Sequence, residues 1–464
     1  MRNIRRYKIF TPDFWQFWQT AGISLTLIVV LFPYPSHFIY YVLGFCLGFA
    51  LVHRLLLPIQ KGGGTAFRYA LPYLVLYGIM FVSCFFSDNV SASLSRCGLY
   101  FCLGLIPLVF VGMTPSFFTA RRIRIFAFSL VVGALIGVLW KLFVFYQVCF
   151  SNRLMVYREH GLGTVFKYGY AYFQYFAKEG GYKLIHPAFE ALFELMAMVV
   201  VLQAWIKKDV FFSHRYGKIL AVFALCAIIV DLLFFCTKTA ALGCVLSIFS
   251  LWVYALCKKR YVFAGASAIG FLLLAGSLTI YAPKMVLSRF QNTIKATKSF
   301  FNGENTETDS SFIPRIYTYK TGWEIFKEKP IIGWGEDCRP AFKQHYKKYS
   351  DKLSDRAWVE NKISTSHNLF LYILDFCGIV GGLAFVWLFL CVLRDVWRKK
   401  SLFWWIWFAG LLAICTIEVF FSCTIGFIYL CGFHGILFCE LTSDFLHPEN
   451  SHKPLVSEKS AEGV

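Results

Sequence analysis

Apolar residues in this chain neither alternate with polar ones nor recur as single stripes. They run in blocks long enough to cross a bilayer, which takes about 20 residues per helix. Such blocks cover residues 15–33, 37–57, 69–86, 94–113, 124–148, 187–206, 218–236, 239–257, 261–281, 367–392, 402–421 and 423–441. The pattern predicts an all-α, polytopic integral membrane protein with about 12 transmembrane helices. Two longer stretches interrupt it, roughly residues 150–186 and residues 282–366, the second 85 residues long. A structureless loop of that length is unusual, so the second is expected to contain helices and a function. The chain thus divides into spans one to nine (1–281), a large, partly helical loop (282–366), spans ten to twelve (367–441) and a polar tail (442–464) expected to be disordered.

Charge orients the spans. With the N-terminal "RNIRRYK" in the cytoplasm and strict alternation, the loops on that side include "HRLLLPIQKGGGTAFR", "RRIR", "KKDVFFSHRYGK", "CKKR" and "RDVWRKK", all basic. The short loops on the other side are "PYPS", "SDNVSAS", the Cys236–Thr239 turn and "SCTIG". They are nearly free of positive charge, with Lys238 the exception. This is the positive-inside asymmetry. It predicts a multi-pass protein of the bacterial inner membrane, with both termini cytoplasmic and both long loops periplasmic. No A-x-A cleavage site follows the first apolar block, so the first helix is read as uncleaved.

Composition agrees: 58% of residues are hydrophobic and 16% charged, against about 45–50% and about 25% in a soluble domain. The net charge of +20 does not signal nucleic acid, because Lys and Arg sit in short clusters between the apolar blocks. The 16 cysteines form no C-x-x-C pair. Most, such as Cys226, Cys244, Cys391 and Cys431, lie within apolar blocks and are expected to pack between helices. Cys149 and Cys338 face the oxidising side, where one disulfide could form. There is no P-loop, no G-x-G-x-x-G after a strand, no H-E-x-x-H and no D-x-D pair. ATP-driven transport, dinucleotide chemistry and zinc proteolysis therefore lack a motif, and no metal or other cofactor is expected.

Candidate chemistry gathers at the outer ends of the spans. His367 follows "STS", so Ser366 or Thr365 can cap the helix that begins there. The free N–H groups at that terminus favour an anion and a neutral imidazole, which could act as a base. Position alone leaves His367 between that role and an interfacial histidine beside a polar cap. Gly378, Gly381 and Gly382 below it are read as allowing close helix packing. Lys238 has the wrong sign for an outward helix N-terminus, a misfit that a bound anion would resolve and a snorkelling lysine would also explain. Arg315 opens a helix expected between Pro314 and Pro330, with Ile316, Tyr319, Trp323 and Phe326 as its apolar face. Its planar fork suits phosphate oxygens, although an ordinary solvated arginine would look the same. His186 and Pro187 start a helix that carries Glu190 and Glu194 one turn apart. Carboxylates at that depth are functional or paired, here with Lys183 or the large loop. Outside the inner membrane no cytosolic nucleotide sugar is at hand, so a polyprenyl-pyrophosphate sugar fits as an activated substrate.

These features together resemble the O-antigen ligase and polymerase superfamily. The resemblance rests on the span count, a large loop before the tenth span, and "SHNLFLYILDFCGIVGG", with His367-Asn368 and Gly378–Gly381. Within the loop, Arg315, Trp323, Pro330, Gly333 and Gly335 reproduce the family's arginine, tryptophan and P-x-x-G-x-G. "SCFFSDNVSASLSRCGLYFCLGLIPLVF" and "IHPAFEALFELMAM" resemble further segments of O-antigen ligases. The chain departs from the family at "TKTAALG", where Lys238 stands for an arginine. The resemblance implies transfer of a glycan from undecaprenyl pyrophosphate to a sugar hydroxyl of lipid A-core, metal-independent and inverting. His367 would be the general base, Arg315 and Lys238 would bind pyrophosphate, and His186, Asn368 and Glu190 would line the substrate site. Polymerase or protein O-oligosaccharyltransferase activity would use the same chemistry on another acceptor. A polysaccharide or lipid transporter would need charges along a path through the membrane, for which Lys141, Asp231 and Glu418 are the candidates.

Overall fold

The computed structural model describes residues 12–30, 63–112, 119–150, 187–206, 215–234, 312–335, 338–350, 365–419 and 424–446, with isolated positions between them. Among these residues every regular element is helical, and the chain is an all-α membrane protein. The helices, numbered in order, are α1 (Pro12–Val29), α2 (Gly63–Ser83), α3 (Val90–Cys97), α4 (Phe101–Gly112), α5 (Ala120–Phe150), α6 (Pro187–Ile206), α7 (Arg215–Phe234), α8 (Phe312–Glu328), α9 (Arg339–Ser350), α10 (Leu369–Lys399), α11 (Leu402–Ile417), α12 (Thr424–Phe427) and α13 (Phe433–Leu446). Phe67–Phe86, Val90–Val111, Arg121–Gln147 and Leu369–Lys399 are long and apolar enough to cross a membrane. Shorter apolar helices run over Gly217–Ile229, Leu402–Ile417 and Ile425–Leu441. The blocks predicted at 37–57, 239–257 and 261–281, the loop 150–186 and the tail lie essentially outside the described residues.

α10 is the axis of the fold. It packs against α2, α8, α11 and α13, while α5 packs against α1, α6 and α7, and α6 reaches α11. Lipid is as apolar as a leucine side chain, so such packing relies on close approach and on internal polar links. At Gly133 of α5, a Cβ would lie 2.3 Å from the Leu27 carbonyl of α1, so only glycine fits that crossing. The last span carries a π-helical turn at Ile428–Gly432. Such a turn leaves backbone carbonyls without helical partners. Tyr69 of α2 donates its hydroxyl to Cys431 O at 2.7 Å, and Trp407 of α11 donates Nε1 to Tyr429 O at 3.1 Å. Next to it, Asp395 accepts from His434 Nε2 at 3.2 Å, which leaves Nδ1 to accept the Tyr73 hydroxyl at 2.7 Å. One buried network thus joins α2, α10 and α13.

The described part of the large loop includes α8 and α9 and the turn that follows α8. Phe342 and Tyr346 of α9 bury against Tyr317 and Ile325 of α8. The apolar face predicted for α8 is not the buried one. Its packed side is Tyr317, Thr318, Thr321, Gly322 and Ile325, whereas Trp323 is 47% exposed. Small and hydroxylated residues face the neighbours because α8 lies close against α10. Cys431 is buried as expected, but Cys226 is exposed and Cys391 half-buried, so these two face the surroundings of the bundle. Cys338 is buried, and the side chain of Cys149 lies outside the described residues.

Candidate functional site

α10 begins two residues later than the sequence suggests, at Leu369. Its cap is Asn368, whose Oδ1 accepts from Leu371 N at 3.1 Å, not Ser366 or Thr365. His367 therefore precedes the cap, with a left-handed φ of +48°. Histidine tolerates that region better than most residues, yet it costs on the order of 1–3 kcal/mol and persists only where neighbours impose it. Ser366 imposes it here: it is fully buried, its hydroxyl donates to Asn368 O at 3.1 Å, and its carbonyl accepts from Thr318 Oγ1 at 3.1 Å.

Three segments meet at this turn. Asn368 Nδ2 and the Tyr319 hydroxyl both donate to Thr416 O, at 3.2 and 2.7 Å, drawing in the end of α11. Glu418 follows there and is nearly buried. One of its oxygens accepts from Arg315 Nη2 at 2.6 Å, and the other lies 3.2 Å from His367 Nδ1. A carboxylate accepts, so Nδ1 carries a proton, and the neutral imidazole has its lone pair on Nε2. The pair with Glu418 takes up one guanidinium nitrogen, and the rest of that planar fork remains to donate elsewhere. The arrangement can take a proton at one point and hold an anion beside it.

Beneath this turn the loop and α10 are locked together. α10 is broken at Gly378, which has φ +61° and ψ −159°. The turn after α8 fills the break: Trp334 N donates to Asp375 O and Gly335 N to Phe376 O, each at 2.9 Å. In return Ile379 N donates to Pro330 O at 2.8 Å and Val380 N to Ile331 O at 3.4 Å. A Cβ at Gly378 would lie 2.3 Å from the Ile331 carbonyl carbon, and one at Gly333 would lie 2.4 Å from Phe376 O. The P-x-x-G-x-G turn and Gly378, the first glycine of G-x-x-G, are therefore two halves of one backbone clasp, while Gly381 lies against Cys377 of its own helix. The packing role expected of Gly378 is real but is played against the loop. Asp375, buried beside Gly322 of α8, sits at the same junction.

Glu190 belongs elsewhere. Among the described residues its partner is Lys141 of α5, at 3.3 Å, and Lys183 lies outside them. Lys141 also holds Glu194 at 3.0 Å and bonds Asp231 of α7, forming a buried four-residue cluster. Lys141, Asp231 and Glu418, the residues a transporter would line up, thus fall into two separate groups. His186 and Lys238 lie outside the described residues. Among the described residues no three His, Cys, Asp or Glu side chains are arranged to hold a metal ion. Glu418 is the member of the site that the sequence placed only on a conceivable transport path and not beside His367 and Arg315. Its one signal was an acidic residue inside an apolar block.

Residues 221–386 match the model of a family described as O-antigen ligase. The match contains α8, α9, Arg315, His367 and both halves of the clasp, and it ends before Glu418. No curated protein matches the chain.

Proposed function

We propose, from the membership of the O-antigen ligase/polymerase superfamily that this match supports, that the chain is a glycosyltransferase of the ligase type. It moves a glycan from undecaprenyl pyrophosphate to a sugar hydroxyl of lipid A-core on the periplasmic face of the bacterial inner membrane. The observation that carries this reading is Glu418 holding Arg315 on one oxygen and His367 on the other.

In this reading His367 Nε2 removes the proton of the acceptor hydroxyl, a role worth roughly 10²–10⁴-fold in rate. The acceptor oxygen attacks the anomeric carbon. The bond from that carbon to the pyrophosphate oxygen breaks, its electron pair leaves on the pyrophosphate, and the sugar inverts. Arg315 stabilises that departing charge with the part of its fork that Glu418 leaves open, and Lys238 shares the task. Asn368 holds the turn in place, and His186 is assigned to the approach of the substrates, whereas Glu190, buried against Lys141, is not. A growing glycan or a protein hydroxyl as acceptor would give a polymerase or a protein O-oligosaccharyltransferase with the same machinery.

The test is reconstitution of the purified chain with a polyprenyl-pyrophosphate glycan and each class of acceptor. Product should form with the lipid A-core acceptor, and His367→Ala should abolish it while the protein still folds and inserts. Wild-type transfer by His367→Ala would remove the base assignment, and product only with a glycan or protein acceptor would reassign the activity.

A further inference from the structure

α8 descends into the membrane boundary rather than standing above it. Along α10, Arg394, Arg398 and Lys399 mark one edge of the hydrocarbon layer. Counting back the roughly 20 residues that cross it places the other edge near Leu374. His367 then lies about 10 Å beyond that edge, at the rise of a helix. The contacts of α8 with α10 fix its depth. Thr318 bonds Ser366, Gly322 lies against Asp375, Pro330 bonds Ile379 and Ile331 bonds Val380. Each step along α8 meets a deeper position on α10, and the following turn lies at or just below the hydrocarbon edge.

Unpaired backbone is not tolerated in lipid at that depth, and the clasp at Gly378 pairs it. The side of α8 turned away from α10 carries Lys320, Trp323 and Lys327, all exposed, and Ile331 follows at 65% exposure. Ile331 is bonded beside Ile379 and Val380, which with Leu383 form the exposed, lipid-facing side of the α10 span. Phe85 and Phe86 at the end of α2 are exposed too, next to Ser87, against which Gly335 packs. Lys327 Nζ lies 5.6 Å from the Trp323 ring centre, so the pair presents an aromatic body and a cation together. Tryptophan, with lysine snorkelling beside it, is the side-chain chemistry of the headgroup layer.

We infer that the Lys320–Trp323–Lys327–Ile331 face of α8 is seated in the phospholipid of the bilayer, continuous with the lipid-facing side of α10. It acts as a foot that holds the outer helical pair, and Arg315 with it, at headgroup height. The assignment stands independently of the proposed reaction, since it rests on depth and surface alone.

The full chain reconstituted in phosphatidylglycerol-containing bilayers tests it, with acyl-chain-brominated and plain lipid compared. The emission that Trp323→Phe removes should be largely lost in brominated lipid and little affected by aqueous iodide. Quenching of that emission by iodide and not by bromolipid would overturn the inference. A photoreactive benzoylphenylalanine at position 323 gives a second readout in native membranes. A phospholipid adduct is expected; an adduct only with protein, including a second copy of this chain, or no adduct at all, would overturn it.

Discussion

Glu418 governs what His367 and Arg315 do in the proposed reaction. By accepting from Nδ1 it fixes the imidazole tautomer and aims Nε2 outward. By pairing with Arg315 it also holds that guanidinium, 28% exposed, beside the imidazole. Glu418→Ala is therefore expected to lower kcat on the order of 10²-fold, with a smaller effect on KM. Glu418→Gln retains an acceptor oxygen for Nδ1 and should fall between Ala and wild type. Steady-state kinetics in proteoliposomes checks the order; equal activity of all three would show that Glu418 orients nothing. For Lys238, arginine should substitute and glutamate should not, and full activity of Lys238→Glu would rule out an anion-binding role.

The clasp between the post-α8 turn and α10 makes two elements into one unit. Gly378→Ala forces a side chain into left-handed backbone and against the Ile331 carbonyl. It should destabilise by about 1–3 kcal/mol, more if the clasp opens. Gly78 of α2 has open space around it, so Gly78→Ala is the matched control and should leave the unfolding temperature nearly unchanged. Thermal unfolding of the two variants separates the cases. The α8–α9 pair also carries a pH-sensitive tie. Burial raises the Glu324 carboxyl, but hydrogen bonds from Tyr349 (2.5 Å) and His345 outweigh it and hold the group below its ordinary range. A depressed carboxylate stabilises the fold above its unfolded pKa, and the stability is lost as pH falls through the folded value. Protection of the α9 amides, measured against the intrinsic exchange rate at each pH, should therefore fall at acid pH, and Glu324→Gln should flatten that dependence. Much of this was legible from apolar block length, Pro314 and Pro330, and the glycine spacing. The face of α8 was not, because Ile316, Tyr319, Trp323 and Phe326 form a proper apolar stripe whose partner, bilayer or protein, periodicity does not name. Asn368 was passed over as a cap because Ser and Thr stood before it. Glu418 stood out only as a charge in an apolar block, and its pairing was not legible because its partners are 51 and 103 residues away.

Lys141 is where the membrane domain is tied together. It reaches from α5 to Glu190 and Glu194 on α6 and to Asp231 on α7, all buried. One ammonium thus serves three carboxyl groups in a setting where isolated charge is costly. Among the described residues Glu194 Oε2 and Asp231 Oδ1 have no hydrogen-bond partner, so the cluster depends on its cation. Removing one partner of a buried ion pair costs about 3–5 kcal/mol, whereas replacing the whole group by well-packed apolar residues of similar volume can be close to neutral. Lys141→Met should therefore lower the unfolding temperature of the purified chain sharply. Adding Glu190→Met, Glu194→Met and Asp231→Leu to it should recover most of the loss. Because α6 also packs on α11, whose end carries Glu418, loosening the cluster is expected to reduce the active fraction. The molecules that remain folded should keep the native KM. Transfer assays normalised to folded protein distinguish this from a direct role of Glu190 with substrate, for which KM would rise while the unfolding temperature stayed constant.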